Sequence, residues 1–371
     1  MSNSKTSELT QLQFTVILIG SMLGISVLSL PNYVIKIAKQ DGWISVILGA
    51  IYPLYIVFIA NYLSKNHPNE NMLVLSRKFF GNILGSILNM IFIFYFIFIA
   101  TKVAADVSSI LHIYIVQFLN KWTLLILIYT LIAYTIWEGF KILGKLNEVI
   151  FFLTVIILFI PLIALKDANV MNIKPILGNN PVNILLATKE TTFSYSLIEI
   201  ILLLYPFLKD KKKIKSCGLK ATLFVTIIYV IFTITDILYF GIEASLQFLW
   251  PMVTVTESLV IPVINSFRFI FMSLWSLTMF KCVYNCYFVT IHELSQLIKK
   301  INEKTILLLT VPLMILISSF YGTVVNSNKI SAKIMPVFVI YNILFTASIA
   351  VFVWIEEKKK KQINNKNGYN N

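Results

Sequence analysis

The sequence "IGSMLGISVLSLP" at residues 19–31 places polar and helix-weakening residues in the middle of an otherwise apolar stretch. Gly20 and Gly24 are four residues apart, the stretch contains three serines, and Pro31 ends it. One interpretation is a close contact with a neighbouring helix through the two glycines. The other is an unwound helix whose freed amide and carbonyl groups bind a ligand. The ligand-binding candidates of this stretch are Gly20, Ser21, Met22, Leu23, Gly24 and Ile25.

A second polar interruption, "KETTFSYSLIE" at residues 189–199, lies in an apolar stretch of the second half of the chain. Its hydroxyl groups could bind the same ligand, although serine and threonine in a helix also bond to carbonyls of their own helix. Glu199 follows Tyr195 by one helical turn, where its carboxyl group could sense a ligand amine or a proton. The candidates of this stretch are Thr192, Phe193, Ser194, Tyr195, Ser196 and Glu199.

Ionisable side chains inside apolar spans are energetically costly, so each is a candidate for function. Lys102 and Asp106 are four residues apart and share one helix face, which favours a structural ion pair between them. Asp236, Glu257 and Lys281 complete the set, and we expect Lys281 to extend towards the cytoplasm. Two further candidates for the wall of a pocket are Val103 and Tyr284.

The composition is that of a membrane protein. Of the 371 residues, 58% are hydrophobic and 13% are charged, and the mean hydropathy is +0.82. A soluble domain carries about 25% charged residues. Because a helix needs about 20 apolar residues to cross the hydrocarbon core, uncharged runs locate the spans. The ten predicted spans are 9–35, 42–64, 79–101, 122–137, 149–165, 181–208, 221–240, 258–291, 305–321 and 334–355.

Lysine and arginine residues concentrate on one side of these spans. With ten spans the two termini share a side, which receives the loop "KDKKKIK" at 209–215, the run "KKKK" at 358–361 and most other basic residues. By the positive-inside rule this side is the cytoplasm. The net charge of +14 thereby belongs to loops beside anionic lipid head groups, and no nucleic acid is needed to explain it.

If the ten spans divide five and five, the first corresponds to the sixth, and the two polar interruptions fall at matching positions. Interrupted helices in inverted repeats are typical of secondary transporters, so the match favours a cavity between spans one and six. We therefore predict an all-α integral membrane protein with a five-plus-five inverted repeat and broken helices one and six. The predicted divisions are a cytoplasmic N-terminus (1–8), one permease-like transmembrane domain (9–355, with repeats at about 9–165 and 181–355) and a basic, polar cytoplasmic tail (356–371).

The sequence carries no signal for catalysis or for a cofactor. Its three histidines lie in or near loops, and it has no glycine-rich phosphate loop and no nucleophile elbow. Cys282 and Cys286 are one helical turn apart, but no nearby His or Cys would complete a metal site. We interpret them as small packing residues. We expect no cofactor, no metal and no enzymatic activity.

The pattern "GSMLGISVLSLP…A…DGWISVILGAIYPLY" resembles the N-terminal signature of the endospore germination permeases, the B subunits of GerA-type germinant receptors. Its most specific part is residues 20–53, with the glycine-containing first helix, the pair Leu30-Pro31, and Gly42-Trp43 at the start of the second helix. The length and the span pattern extend the resemblance to the whole chain. The segment "IPVINSFRFIFMSLW" at 261–275 resembles the eighth helix of that family, where an arginine matching Arg268 is usual. Acidic neighbours are usual there too, but this chain has Phe267 and Phe269, so the partner of Arg268 stays open.

The resemblance implies the ten-helix, LeuT-like inverted-repeat fold of the amino acid–polyamine–organocation transporter superfamily. It also implies a receptor subunit that recognises a small germinant, typically an amino acid, in the pocket that relatives use for transport. The implied partners are A and C subunits in the inner spore membrane, where binding leads to release of ions and dipicolinate. The alternatives are an amino acid permease coupled to protons or another cation, and a scaffold or channel subunit with a vestigial pocket.

Overall fold

The computed structural model describes residues 8–24, 26–258 and 267–368, with side chains described as far as Gln362. The candidate residue Ile25 and the first part of the eighth predicted span therefore lie outside the described residues. Apart from one isolated bridge between Leu9 and Leu208, the described residues form only helices and the loops that join them.

The first predicted span consists of two helices, α1 (Gln11–Met22) and α2 (Ser26–Ala38). Thr10 begins α1 with a capping box: its hydroxyl accepts from the Gln13 N–H, and the Gln13 side chain accepts from the Thr10 N–H, both at 3.2 Å. At the other end, Leu23 has φ −75° and ψ 67°, which is not helical. The chain thus leaves the helical conformation inside the "GSMLG" sequence.

The rest of the first half is a series of helices connected by short loops. The longest of them, Asn82–Tyr114, follows the short helix Met72–Phe80 directly. Gly81 joins the two with a φ of 80°, which glycine adopts readily. The last of these helices runs on as a 3₁₀ helix, Val155–Asp167. The helices are α3 (Gly42–Gly49), α4 (Ile51–Asn66), α5 (Met72–Phe80), α6 (Asn82–Tyr114), α7 (Lys121–Trp137) and α8 (Phe140–Thr154).

The sixth predicted span is also interrupted. Helix α9 (Pro181–Ser194) ends before Leu197, which has a left-handed φ of 75°. The chain continues through a 3₁₀ turn (Ile198–Ile200) into α10 (Ile201–Leu204). A left-handed conformation costs a residue such as leucine about 1–2 kcal/mol, so contacts with the surrounding helices must hold this break in place.

Five helices complete the second half. One of them bends at Gly241, where φ is 74° and ψ is 178°. The last runs past Ile355, so the predicted tail begins inside a helix. These helices are α11 (Ile214–Ser245), α12 (Pro251–Ser258), α13 (Phe267–Leu297), α14 (Glu303–Phe320) and α15 (Val324–Gly368).

Among the described residues, seven helical segments are long and apolar enough to cross a membrane, and three shorter apolar ones accompany them. Each of the ten predicted spans contains one of these segments or part of one, and the chain is a multi-pass membrane protein. The inverted-repeat relation between its halves stays a prediction. The long segments are Ser26–Asn66, Asn82–Tyr114, Phe140–Asp167, Lys211–Ser245, Phe267–Leu297, Glu303–Phe320 and Val324–Gln362, and the short ones are Gln11–Met22, Lys121–Trp137 and Ile198–Phe207.

Packing places both interrupted spans at the centre of the bundle. Helix α1 contacts α8, α11 and α13, whereas α2 contacts α9 and α11. The long helices α6 and α13 pack along each other. The two breaks are therefore enclosed by protein, which is where non-helical backbone is tolerated at membrane depth.

One end of the bundle, which we call the basic end, joins the start of the chain to the C-terminal helix. The Leu9 N–H donates to a carbonyl of the turn 205–207 at 2.8 Å, and a tyrosine of the same turn donates to the carbonyl of Glu70. The ring nitrogens of His67 lie 2.9 Å from Glu70 and 3.2 Å from Glu356, on α15. Both described ends of the chain thus lie at the same end of the bundle.

Candidate ligand-binding site between the two helix breaks

The two helix breaks share one hydrogen-bonding side chain, Tyr229 in the middle of α11. Its buried hydroxyl lies 2.7 Å from the carbonyl oxygen of Met22, the last residue of α1. It also lies 2.8 Å from the carbonyl oxygen of Ser194, the last residue of α9. Carbonyls at a helix end have no intrahelical donor, and leaving them unpaired at membrane depth is costly. The single O–H of Tyr229 is shared between both carbonyls and so ties the two breaks together.

Two further tyrosines stabilise the break in the sixth span. The N–H of Leu197 donates to the hydroxyl oxygen of Tyr95 on α6 at 3.0 Å. Within the break, the Tyr195 hydroxyl lies 3.0 Å from the carbonyl of Val46 and 3.0 Å from the hydroxyl of Thr226. Tyr95 therefore supplies a partner for a backbone N–H of the break, and the Tyr195 side chain anchors the break to α3 and α11.

A cavity of about 150 Å³ lies beside the two breaks. Its lining includes polar groups from both interrupted spans, from α6 and from α15. An engineered apolar cavity of about 150 Å³ is large enough to hold benzene, so this volume suits a small molecule. The sequence-predicted residues that line it are Ser21, Met22, Gly24, Val103, Phe193, Ser194 and Ser196.

Gly20 and Gly24, on opposite sides of Met22, have different surroundings. A Cβ atom on Gly20 would lie 3.1 Å from Oδ1 of Asn147, closer than side chains normally pack, and 3.4 Å from Cε of Lys281. A Cβ atom on Gly24 would meet only Sγ of Cys282 at 3.4 Å, an ordinary contact, and Gly24 lines the cavity. The close-contact interpretation therefore fits Gly20, whereas Gly24 lies beside the cavity where the chain has left the helix, and ligand binding there stays a prediction.

The remaining described candidates are placed outside the cavity lining. Leu23 is buried in the apolar core. The Thr192 hydroxyl donates to the carbonyl of Thr188 at 3.2 Å, the alternative expected for hydroxyls in a helix. Tyr284 is buried on α13, and its hydroxyl has no hydrogen-bond partner in the part of the chain that the structure describes. With Gly20, the candidates that do not line the cavity are Leu23, Thr192, Tyr195, Glu199 and Tyr284.

Glu199 belongs to a separate buried network next to the sixth-span break. Its Oε1 accepts from the hydroxyl of Tyr52 on α4 and, at 3.0 Å, from Nδ2 of Asn342 on α15. Its side chain is fully buried, and Oε2 has no hydrogen-bond partner among the described residues. This network fastens the second half of the broken span to two other helices.

Charged groups of the cavity come from α6 and α9. Nζ of Lys102 lies 2.5 Å from Oδ2 of Asp106, which confirms the expected ion pair, and the Ser327 hydroxyl donates to Oδ1 at 2.7 Å. Glu190, on the last turns of α9, also lines the cavity. In the sequence, Glu190 is only one member of a polar run and does not stand out as a site residue. Asn328 lines the same cavity, and nothing in the sequence of α15 indicates this.

The structure places Lys281 elsewhere than expected. It does not extend towards the cytoplasm but is 1% exposed, with its side chain against Gly20. Its ammonium group lies 5.7 Å from the ring centre of Phe151 on α8. A lysine near the middle of a long helix in a packed bundle has no short path to water, which explains the difference.

Two other charged residues have partners near the ends of α11 and α12. Arg268 forms an ion pair with Glu257, and its guanidinium lies over the ring of Tyr114 at 5.5 Å. Glu257 thus supplies the acidic partner that the neighbours of Arg268 in the sequence do not. Asp236 is buried and accepts a hydrogen bond from the hydroxyl of Ser245, beyond the bend of α11.

Comparison with known proteins gives this architecture a family. The sequence model of the family described as "Spore germination protein" matches residues 8–327, which include both helix breaks. The chain is 30% identical to spore germination protein YndE of Bacillus subtilis (strain 168) over 301 residues, 80% of this chain and 83% of that protein. It is 24% identical to spore germination protein GerQB of Bacillus cereus, over 85% of this chain and 86% of that protein. Spore germination protein B2 of Bacillus subtilis (strain 168) is 22% identical over 96% of this chain and 97% of that protein. The chain therefore belongs to the family of spore germination proteins, the germination permeases that the pattern of its first span resembles.

Proposed function

We propose that the protein is the B subunit of a germinant receptor and that it binds a small germinant, an amino acid, in the cavity beside the two helix breaks. Family membership supports a role in germination. The observation that carries the ligand assignment is the cavity itself, because both interrupted spans contribute to its lining. Interrupted helices around a midplane cavity are the usual binding site of secondary transporters.

The chemistry of the lining suits an amino acid. Ser26, the first residue of α2, lines the cavity, and a helix N-terminus presents unpaired N–H groups and a partial positive charge to a carboxylate. The Ser194 hydroxyl forms no hydrogen bond with the described residues, whereas the Ser196 hydroxyl donates to the carbonyl of Thr192 at 3.2 Å. Ser194 is therefore the serine of the sixth span that is available to a ligand.

The family and the sidedness of the bundle support the rest of the proposal. A germinant receptor needs A and C subunits, which we place beside this chain in the inner spore membrane. The basic end carries the lysine-rich loop 209–215, and both described ends of the chain lie there. By the positive-inside rule we assign this end, with both termini, to the cytoplasm.

The test is a germination screen of amino acids on spores that carry only this receptor's operon. Ser194→Val should raise the amino acid concentration for half-maximal response by about fivefold or more, the value of one hydrogen bond. The matched control is Ser348→Val on α15, because that hydroxyl bonds only to a carbonyl of its own helix, at 2.7 Å. A fall in protein abundance with unchanged potency would show instead that Ser194 only packs.

The alternative function, an amino acid permease coupled to protons or another cation, is favoured by the same interrupted helices, which are typical of transporters. Uptake of radiolabelled amino acids into vesicles that contain only this chain separates the two. A pure receptor subunit gives no saturable, gradient-driven accumulation, whereas a permease does.

A further inference from the structure

We propose that Glu190 receives the positively charged group of the ligand, so that the cavity selects molecules with a free ammonium group. This inference rests on the proposed function, because it names the chemistry of the ligand that the cavity binds. It assigns a specificity-determining role to a side chain on the last turns of α9, just before the sixth-span break.

The first step is the charge of the described lining, which includes three charged side chains, one basic and two acidic. Lys102 and Asp106 neutralise each other across 2.5 Å, and Ser327 occupies the second carboxylate oxygen of Asp106. Neither of these charges is free for a ligand. Glu190 remains, and it is the acidic side chain of the described lining that has no ion-pair partner among the described residues.

The second step is the surroundings of Glu190. Its carboxylate has no hydrogen bond with the described residues, and none of their basic nitrogens lies within the 4.0 Å of an ion pair. Lys36 and Lys189 act on it electrostatically from farther away, but neither lines the cavity. Tyr33 does line it, and its hydroxyl lies in the field of both Asp106 and Glu190.

The third step is a positive group in the same lining. The N-terminus of α2 at Ser26 lines the cavity and carries the positive end of a helix dipole, and Glu190 contributes a carboxylate. A molecule with both a carboxylate and an ammonium group can interact with both. A carboxylic acid without an amine leaves Glu190 uncompensated in a half-buried site, where the effective dielectric constant is well below that of water.

The charge of the cavity can be measured without a known ligand. Ala332 lines the cavity and is exposed, so Ala332→Cys provides a thiol there once the three native cysteines are replaced by serine. The probes are 2-aminoethyl methanethiosulfonate, a cation, and 2-sulfonatoethyl methanethiosulfonate, an anion. With either probe, the cysteine thiolate attacks the thiosulfonate sulfur, forms a mixed disulfide and releases methanesulfinate.

The matched control is Phe118→Cys in the loop between α6 and α7, which is 83% exposed and does not line the cavity. That loop lies at the same end of the bundle as the start of α15, because Nζ of Lys121 donates to the carbonyl of Gly322 at 3.2 Å. The quantity compared is the ratio of the cationic to the anionic reaction rate, on purified full-length protein in neutral detergent micelles. If Ala332→Cys does not accumulate, Ser331→Cys replaces it, because Ser331 lines the same cavity.

We expect Glu190→Gln to lower the rate ratio at position 332 by about threefold or more, the effect of one unit charge about 10 Å away in a partly aqueous site. The neighbouring Lys329 and Lys333 are present with and without this substitution, so their effect cancels. The ratio at position 118 should not change. An unchanged ratio at position 332 in Glu190→Gln would overturn the assignment of Glu190. That result would leave the proposed function intact, because the function is judged by the germination response of the Ser194→Val spores.

Discussion

At the scale of single residues, the two glycines of the first span have different surroundings. Gly20 has little room for a side chain because Asn147 lies against it, and Asn147 is fixed by Asn285 through hydrogen bonds of 2.7 and 3.0 Å. Gly24 has room, and the space beside it is the cavity. The same residue type in one short pattern therefore meets two different physical requirements.

This difference predicts that alanine lowers the stability of the protein at position 20 but not at position 24. Gly20→Ala should lower the free energy of unfolding by about 1 kcal/mol, because an overpacked contact costs about 1–3 kcal/mol and outweighs the gain of about 1 kcal/mol in helix propensity. Gly24→Ala, outside the helices, should change it by less than about 0.5 kcal/mol. Denaturant unfolding of the two purified variants in detergent measures both. A destabilised Gly24→Ala beside an unaffected Gly20→Ala would contradict this account.

At the scale of the helices, each break is stabilised by side chains from elsewhere in the chain. Tyr229 bonds to the last carbonyl of α1 and of α9, and Tyr95 accepts the N–H of Leu197. Nothing within α1 or α9 would hold these backbone groups. The geometry of the site therefore depends on α6 and α11 as much as on the interrupted spans.

Tyr229→Phe tests this dependence. Removal of the hydroxyl leaves the buried carbonyl of Ser194 without a donor among the described residues and that of Met22 with only the Gly24 N–H, at 2.8 Å. Unfolding should therefore become easier by about 1–3 kcal/mol. Tyr284→Phe is the matched control, since Tyr284 is equally buried but its hydroxyl has no partner among the described residues, and we expect a change within about 0.5 kcal/mol. Thermal unfolding of the two purified variants gives the comparison, and equal effects would rule out a special role for Tyr229.

The sequence predicts the first break better than the second. Glycines and a closing proline indicate the first, whereas the interruption at 189–199 contains neither and is indicated only by its polar residues. The left-handed conformation of Leu197 has no local signal, because tertiary contacts impose it. For the same reason the sequence does not indicate that α15 contributes to the cavity or that Glu199 lies outside its lining. Which side chains face a shared space depends on how distant helices pack.

At the scale of the whole molecule, the hydrogen bonds and ion pairs of the basic end bring distant parts of the chain together. They join the start of the chain, the loop after α4 and the C-terminal helix at one end of the bundle. The loop between α6 and α7 lies at the other end, next to the start of α15. The distribution of basic residues along the sequence indicates the same sidedness.

Cysteine labelling in intact cells decides the orientation. In a variant without native cysteines, Phe118→Cys should react with a membrane-impermeant maleimide added outside. Lys212→Cys, in the exposed loop before α11, should react only after the membrane is permeabilised, as the positive-inside rule requires. Labelling of Lys212→Cys in intact cells would place the basic end outside and overturn the assignment.

The central claim is that an amino acid binds in the cavity beside the helix breaks, and its most direct test is binding to the purified protein with and without that space. Calorimetric titration of the full-length protein in lipid nanodiscs with each standard amino acid should identify at least one that binds. Gly24→Leu, which puts a large side chain into the cavity, should abolish this binding, whereas Gly24→Ala should retain it within about threefold. Unchanged binding in a folded Gly24→Leu protein would contradict the account, because the ligand would then occupy another site.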